Sequence, residues 1–181
     1  MALYKKIIPE IYVDSVKDIP YKSLKAQGIK ALLFDLDNTL IDYEQTKLDT
    51  DTSNFLIELE KDFLVIIISN SYEKRVYGAV GNQFSHISFA KKPLKFGFKK
   101  ALKKLMLVPK EVAIIGDQLM TDIFGGNRMG FYPILVNPIK QKTDKLPTRI
   151  NRIIEKFFIR KVKRNDPKKY DEVLKKYAEK Y

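Results

Sequence analysis

Asp35 and Asp37 stand two residues apart where the apolar run 31–34 gives out, in the stretch Asp35-Leu36-Asp37-Asn38-Thr39-Leu40. Three further apolar runs end in side chains that can do chemistry. Ser69-Asn70-Ser71 follows 63–68, Lys91-Lys92-Pro93 follows 86–89, and Gly116-Asp117-Gln118 follows 112–115, with Asp122 five residues after Asp117. Carboxylates, hydroxyls and a lysine together suit phosphoryl transfer. Carboxylate oxygens hold a hard cation such as magnesium, with water and substrate phosphate completing its octahedron. A lysine and a hydroxyl neutralise and hydrogen-bond the equatorial phosphoryl oxygens, because positioning and electrostatics dominate this reaction. One carboxylate is then available to attack phosphorus, and a second to protonate the leaving alcohol and later deprotonate water.

For these residues to meet, the ends of several strands must share one rim. The runs 31–34, 63–68, 86–89, 112–115 and 131–136 are short and continuously apolar, the pattern of strands covered on both faces. Helical patterns lie between them, over about 51–62, 72–80, 95–106 and 120–129. This predicts an α/β fold: a doubly wound, Rossmann-like, parallel five-stranded sheet flanked by helices, whose ligands sit beyond the carboxyl ends of the strands. On the 95–106 helix, Lys95, Lys99, Lys100, Lys103 and Lys104 read as the solvated face and Leu94, Phe98, Ala101, Leu102 and Leu105 as the inner one. His86 lies within an apolar strand pattern and reads as structural. Gly125-Gly126 reads as a site of close packing, and the chain has no GxGxxG or Walker sequence.

Residues 1–138 form the candidate catalytic domain and 139–181 a basic, helical extension. Up to Pro138 there are 19 basic and 16 acidic residues; beyond it there are 15 and 6, so most of the net charge of +12 lies in the extension. The stretch 139–146 reads as a linker. Ile150, Ile153, Ile154, Phe157 and Phe158 then form one stripe of an amphipathic helix, with Arg149, Arg152, Lys156, Arg160 and Lys163 on its other face. The bland expectation is that this stripe docks on the core; the sharper one is that it meets an anionic membrane. Asp166-Pro167 reads as the start of a final helix striped by Tyr170, Val173, Leu174 and Tyr177.

Composition narrows the classes. With 45% hydrophobic and 31% charged residues among 181, the chain has the material for a core. The absence of Cys excludes a disulfide scaffold, Cys-ligated zinc and a cysteine nucleophile, and the single His86 leaves no multi-histidine metal site. The longest apolar run spans six residues, 63–68, where a spanning helix needs roughly 20. With no secretory signal at the amino end, a cytoplasmic location is expected, with peripheral contact at a membrane surface as the alternative.

Taken in order and spacing, Asp35-Leu36-Asp37-Asn38-Thr39-Leu40, Ser69, Lys92 and Gly116-Asp117 with Asp122 resemble the four motifs of haloacid dehalogenase-like (HAD) phosphatases. The leader through Gly28-Ile29-Lys30, Lys92-Pro93 and Gly116-Asp117-Gln118-Leu119-Met120-Thr121-Asp122 are similar to the YqeG branch of subfamily IIIA, over roughly residues 3–137. That branch is related to the phosphatidylglycerophosphate phosphatases of mitochondria and chloroplasts. The resemblance implies that Asp35 is the nucleophile and Asp37 the general acid and base, with its backbone carbonyl also on magnesium. It further implies that Ser69 binds the phosphoryl group, Lys92 offsets the charge on Asp35 and phosphate, and Asp117 and Asp122 complete the metal site. Asn38, Thr39 and Asn70, beside these groups, are the candidate substrate-binding residues. Many such phosphatases carry an inserted cap. Here 37–63 and 71–92 leave room for a flap, two helices and a strand only, so a capless fold with an open rim is expected, suited to a bulky phosphomonoester such as a lipid head group. A soluble nucleotide or sugar phosphate is the alternative substrate. An RNA- or ribosome-binding module is the weaker rival, since the tail tyrosines fall at helix spacing and no RNA-binding motif accompanies them.

Overall fold

The computed structural model describes residues 2–180. Its centre is a sheet of parallel strands: β1 Ile11–Val13, β2 Ala31–Phe34, β3 Leu64–Ile68, β4 His86–Ile87, β5 Val112–Gly116 and β6 Tyr132–Val136. Their spatial order is β1-β6-β5-β2-β3-β4. The helices are α1 Tyr21–Ala26, α2 Thr50–Glu60, α3 Glu73–Val80, α4 Lys95–Leu105, α5 Phe124–Met129 and α6 Leu146–Asn165. A π-helical turn, Leu119–Ile123, leads into α5. A final segment runs through Pro167–Lys169, a second π turn at Tyr170–Leu174 and Lys175–Ala178.

The sheet therefore has six strands where five were expected. β1 is three half-buried residues at an edge, pairing Ile11 with Ile134 and Val13 with Val136, and so short a strand leaves no apolar run to read. At the other edge β4 stops after Ile87, short of the expected Phe89, which adopts φ 47° and turns the chain.

Alternation along β2 splits the core into two layers. Leu32 and Phe34 face α1, α2 and α3, in a cluster with Leu24, Leu56 and Val76. Ala31 and Leu33 face α4 and α5, beside Phe98, Ala101 and Phe131. Gly125 and Gly126 pack closely here, since a Cβ on either would strike Phe98 or Ile114. The α4 lysines are exposed as expected, but so is Leu94, at 55%. Register fixes the rim: Phe34 pairs with Ile67 on one side and with Ile115 on the other, so the chain leaves β2, β3 and β5 at about one level.

The extension departs most from expectation. Ile159, Val162, Tyr170, Leu174 and Tyr177 pack with Ile7, Leu119, Ile123 and Leu135 into a third apolar cluster. Along the first half of α6, however, the buried side chains are Thr148, Arg152 and Glu155, while Leu146, Ile153 and Phe157 are 71%, 70% and 62% exposed. The expected apolar stripe faces outward because this half of the helix lies over the polar rim, where only hydrogen-bonding side chains can be buried without penalty. Nor is 139–146 a loose linker. It contains a 3₁₀ turn, Gln141–Thr143, followed by a buried Asp144, and its last residue, Leu146, opens α6. Among the described residues no helix is long and apolar enough to cross a membrane.

Candidate active site

β2 and β5 lie side by side although β3 and β4 intervene in sequence, so the chain leaves them in opposite directions and opens a crevice between their carboxyl ends. The backbone N–H of Asp35 donates to Ile115 O at 2.8 Å, which starts the β2 loop at a fixed height. One carboxylate oxygen from each of Asp35, Asp117 and Asp122 lies within 4.8 Å of the others, and all three residues are buried. Gly116 makes this possible, because a Cβ there would sit 2.3 Å from the Asp122 carboxyl carbon.

Two cations enter the cluster. Lys92 Nζ donates to Asp35 Oδ1, to Asp122 Oδ1 at 2.7 Å and to Ile68 O at 3.0 Å. Arg152, from α6, donates from Nη1 to Asp117 O at 2.6 Å and from Nη2 to Asp117 Oδ2. The other two oxygens, Asp35 Oδ2 and Asp117 Oδ1, converge on the Thr39 hydroxyl, at 3.4 and 3.5 Å. Burial pushes the Asp35 carboxyl well above its usual range, against the pull of Lys92. Burial likewise raises Asp117 to about 6, with Arg152 opposing it and Asp122 adding to it. Burial works against the Lys92 ammonium, but the Asp122 and Asp35 charges outweigh it and hold the proton on. Three carboxylates against two cations leave a net negative pocket of oxygen donors. That set fits a hard divalent ion.

The Asp37 side chain lies outside this cluster. Its Oδ2 accepts from Ser71 at 2.7 Å and its Oδ1 from Arg75 Nε and Nη2 at 3.1 and 2.9 Å. Asp35, Asp37, Ser69, Asn70 and Lys92 line one cleft of about 290 Å³. The Ser69 hydroxyl accepts from Ser71 N at 3.0 Å while lining the cleft. Asn70 clamps the β4 loop, donating to Lys92 O at 2.9 Å and accepting from Lys92 N at 2.6 Å. Asn38, expected to bind substrate, is turned away. It is fully buried at φ 65°, donates to Asp144 Oδ1 at 2.6 Å and accepts from Lys140 N at 3.2 Å. Thr39 faces the carboxylates rather than the cleft.

The rim is also less open than expected. Lys145, Pro147, Thr148 and Asn151, from the start of α6, line the cleft together with Tyr72. Asn151 donates to Gln118 Oε1 at 3.2 Å, and the Thr148 hydroxyl lies 3.1 Å from that of Tyr43. Arg152 continues inward to Asp144 Oδ2 at 3.3 Å, Glu155 Oε2 at 3.5 Å and the Tyr177 hydroxyl at 3.0 Å. Sequence reasoning missed Arg75 and Arg152. The signal for Arg152 was periodic: Thr148, Arg152 and Glu155 are in phase with the buried Ile159 and Val162, so a polar triplet had to face inward.

Four strand ends thus bring a buried acidic cluster and a lysine to one rim. Residues 1–83 match the family described as mitochondrial PGP phosphatase, and residues 89–157 match the HAD-hydrolase-like family. Over 174 residues, covering 94% of this chain and 99% of the relative, the sequence is 33% identical to the "Probable phosphatase YqeG" of Bacillus subtilis (strain 168). The chain belongs to the YqeG branch of the HAD-like phosphatases. It is a phosphatase of the HAD type, with the parallel sheet of that fold and no inserted cap.

A second relative of this YqeG-type chain is the chloroplastic phosphatidylglycerophosphate phosphatase 1 of Chlamydomonas reinhardtii, 24% identical over 84% of the chain and 61% of that longer protein. Among solved structures, the HAD family enzyme bt-2542 of Bacteroides thetaiotaomicron aligns with a TM-score of 0.51, at 15% identity, over 62% of this chain and 96% of that one. A predicted HAD-like family hydrolase from Porphyromonas gingivalis aligns equally, at 0.51 and 13% identity, over 70% and 98%. Both likenesses are of fold. The bt-2542 enzyme has been crystallised with magnesium.

Proposed function

We propose that this phosphatase hydrolyses a phosphomonoester through a phosphoaspartate on Asp35, with magnesium as cofactor. The observation that carries the reading is the convergence of Asp35, Asp117 and Asp122 across from Lys92. An Asp35 carboxylate oxygen attacks phosphorus as the bond from phosphorus to the leaving oxygen breaks. Asp37, oriented by Arg75 and Ser71, protonates that oxygen. The same carboxylate then takes a proton from water, whose oxygen attacks phosphorus and returns Asp35 with release of inorganic phosphate. Lys92 balances charge on Asp35 and on the phosphoryl group, and Ser69 hydrogen-bonds it. Magnesium would be held by Asp35, Asp117, Asp122 and the Asp37 carbonyl, and supplies positive charge against the phosphoryl oxygens. In this reading residues 1–138 carry the chemistry, and 139–181 supply one wall of the cleft and the counter-cation of Asp117.

For the substrate we propose a lipid head-group phosphate of the phosphatidylglycerophosphate kind. The match of residues 1–83 and the algal relative support it. Two measurements test the proposal. Asp35→Asn should reduce hydrolysis of an aryl phosphate by roughly 10³-fold or more while the far-ultraviolet spectrum stays unchanged; retained turnover refutes the nucleophile. In a panel of phosphomonoesters compared by kcat/KM, the lipid should rank above nucleotide and sugar phosphates. The reverse ranking returns the site to a soluble metabolite.

A further inference from the structure

The outward face of α6 is apolar and exposed, with Phe157 edge-on to its neighbour Phe158. Leu146, Ile150, Ile153 and Phe157 recur at i, i+4, i+7 and i+11, which brings them to one side of a helix. They are 71%, 50%, 70% and 62% exposed. The charges around them have one sign. Arg149, Lys156, Arg160, Lys161, Lys163 and Arg164 are all exposed, and none forms an ion pair among the described residues. The helix's one acid, Glu155, is buried against Arg152.

This face adjoins the cleft. Pro147, Thr148 and Asn151, from the first turns of α6, line it, as does Tyr72. Further apolar groups are exposed around Tyr72 and beyond Lys92. Tyr72 is 70% exposed and packs edge-on against Phe89, and Leu94 and Phe96 lie exposed just beyond Lys92 in the chain. Lys91 sits over the Phe96 ring.

A helix with a broad apolar face and cationic flanks lies at the boundary between head groups and acyl chains of an anionic bilayer. A nucleic acid would satisfy the cations but leave four aliphatic and aromatic side chains in water, whereas a second copy of the helix would bring six cations against six. We propose that this face seats the enzyme on an anionic lipid surface, with α6 at head-group level and the cleft beside the lipid phosphates. The proposal deepens the lipid-phosphate reading, resting on it for its purpose and on the helix for its geometry.

The test uses the full chain and vesicles of phosphatidylcholine with or without phosphatidylserine, a lipid that carries no phosphomonoester. The protein should sediment with the anionic vesicles and stay in solution with the neutral ones. The double substitution Ile153→Glu with Phe157→Glu should lower the partition coefficient by roughly a hundredfold and leave turnover of a soluble aryl phosphate unchanged. Absence of vesicle binding by the natural sequence, or equal binding by the variant, overturns the proposal. So does a dimer that the same substitutions split. Binding to these vesicles without turnover of a lipid phosphomonoester added to the anionic ones in a parallel assay upholds the docking face and refutes the substrate reading alone.

Discussion

Lys92 is held by two carboxylates and a carbonyl, and its removal would leave Asp35 and Asp122 buried without a cation. Lys92→Met should therefore abolish turnover and also lower stability by about 3–5 kcal/mol in urea unfolding, because an unpaired buried charge is costly. Glu155 offers a pH signature on the far side of Arg152 from Asp117. Burial raises its pKa to about 7, against the pull of Arg152. An acid raised in the folded state contributes stability that is complete below its unfolded pKa of about 4.3 and is lost as pH climbs through about 7. Glu155→Gln keeps an acceptor for Tyr177, so its Tm relative to the natural sequence should rise between pH 5 and pH 8; a flat difference would show that Glu155 does not titrate in that window. That Asp35, Asp37, Ser69, Lys92 and Asp117 share one rim was legible because each stands in a loop after a strand, and Asp122 was legible from its spacing of five residues from Asp117. Arg75 and Arg152 were not, since each sits on a helix whose direction of facing depends on packing. Asn38 was misread for a related reason: proximity in sequence to two carboxylates did not reveal that its backbone turns left-handed and points its amide at Asp144.

At the scale of elements, the β5 turn is built around an absence. Gly116→Ala would put a methyl group into the Asp122 carboxyl, displacing a partner of Lys92. The expected result is a large fall in kcat, with a stability loss of about 1–3 kcal/mol. An active, equally stable variant would show that the turn relaxes. Five strands and five helices were readable from continuous apolar runs and 3.6-residue periodicity. β1 and the shortness of β4 were not, because pairing at a sheet edge depends on a neighbour remote in sequence. The facing of α6 could not be decided by hydrophobic pattern alone, since the pattern gives a stripe but not the polarity of the ground beneath it.

Over the whole molecule, the extension and the sheet share one core through Ile7, Leu135, Val162 and Leu174. Deleting 139–181 should expose that apolar surface and yield an aggregating chain, measured as loss of soluble protein; a soluble, cooperatively melting fragment would contradict this. Cation binding should in turn stabilise the fold. Magnesium at a hundred times its Kd should add about 2.7 kcal/mol, visible as a rise in Tm that Asp117→Ala removes. Overall layout was legible as a succession of strand and helix, but the sharing of one active site between the two ends of the sequence was not, because it runs through Arg152 and Asp144, which no motif marks. That bridge orders events in time. On a ribosome that has released residues 1–138 but still encloses the helix that follows, Asp117 lacks the Arg152 guanidinium and the Asn38 amide lacks the Asp144 carboxylate. A nascent chain therefore lacks both contacts until that helix has emerged and docked, so synthesis itself sets the moment at which the acidic cluster reaches its final charge balance.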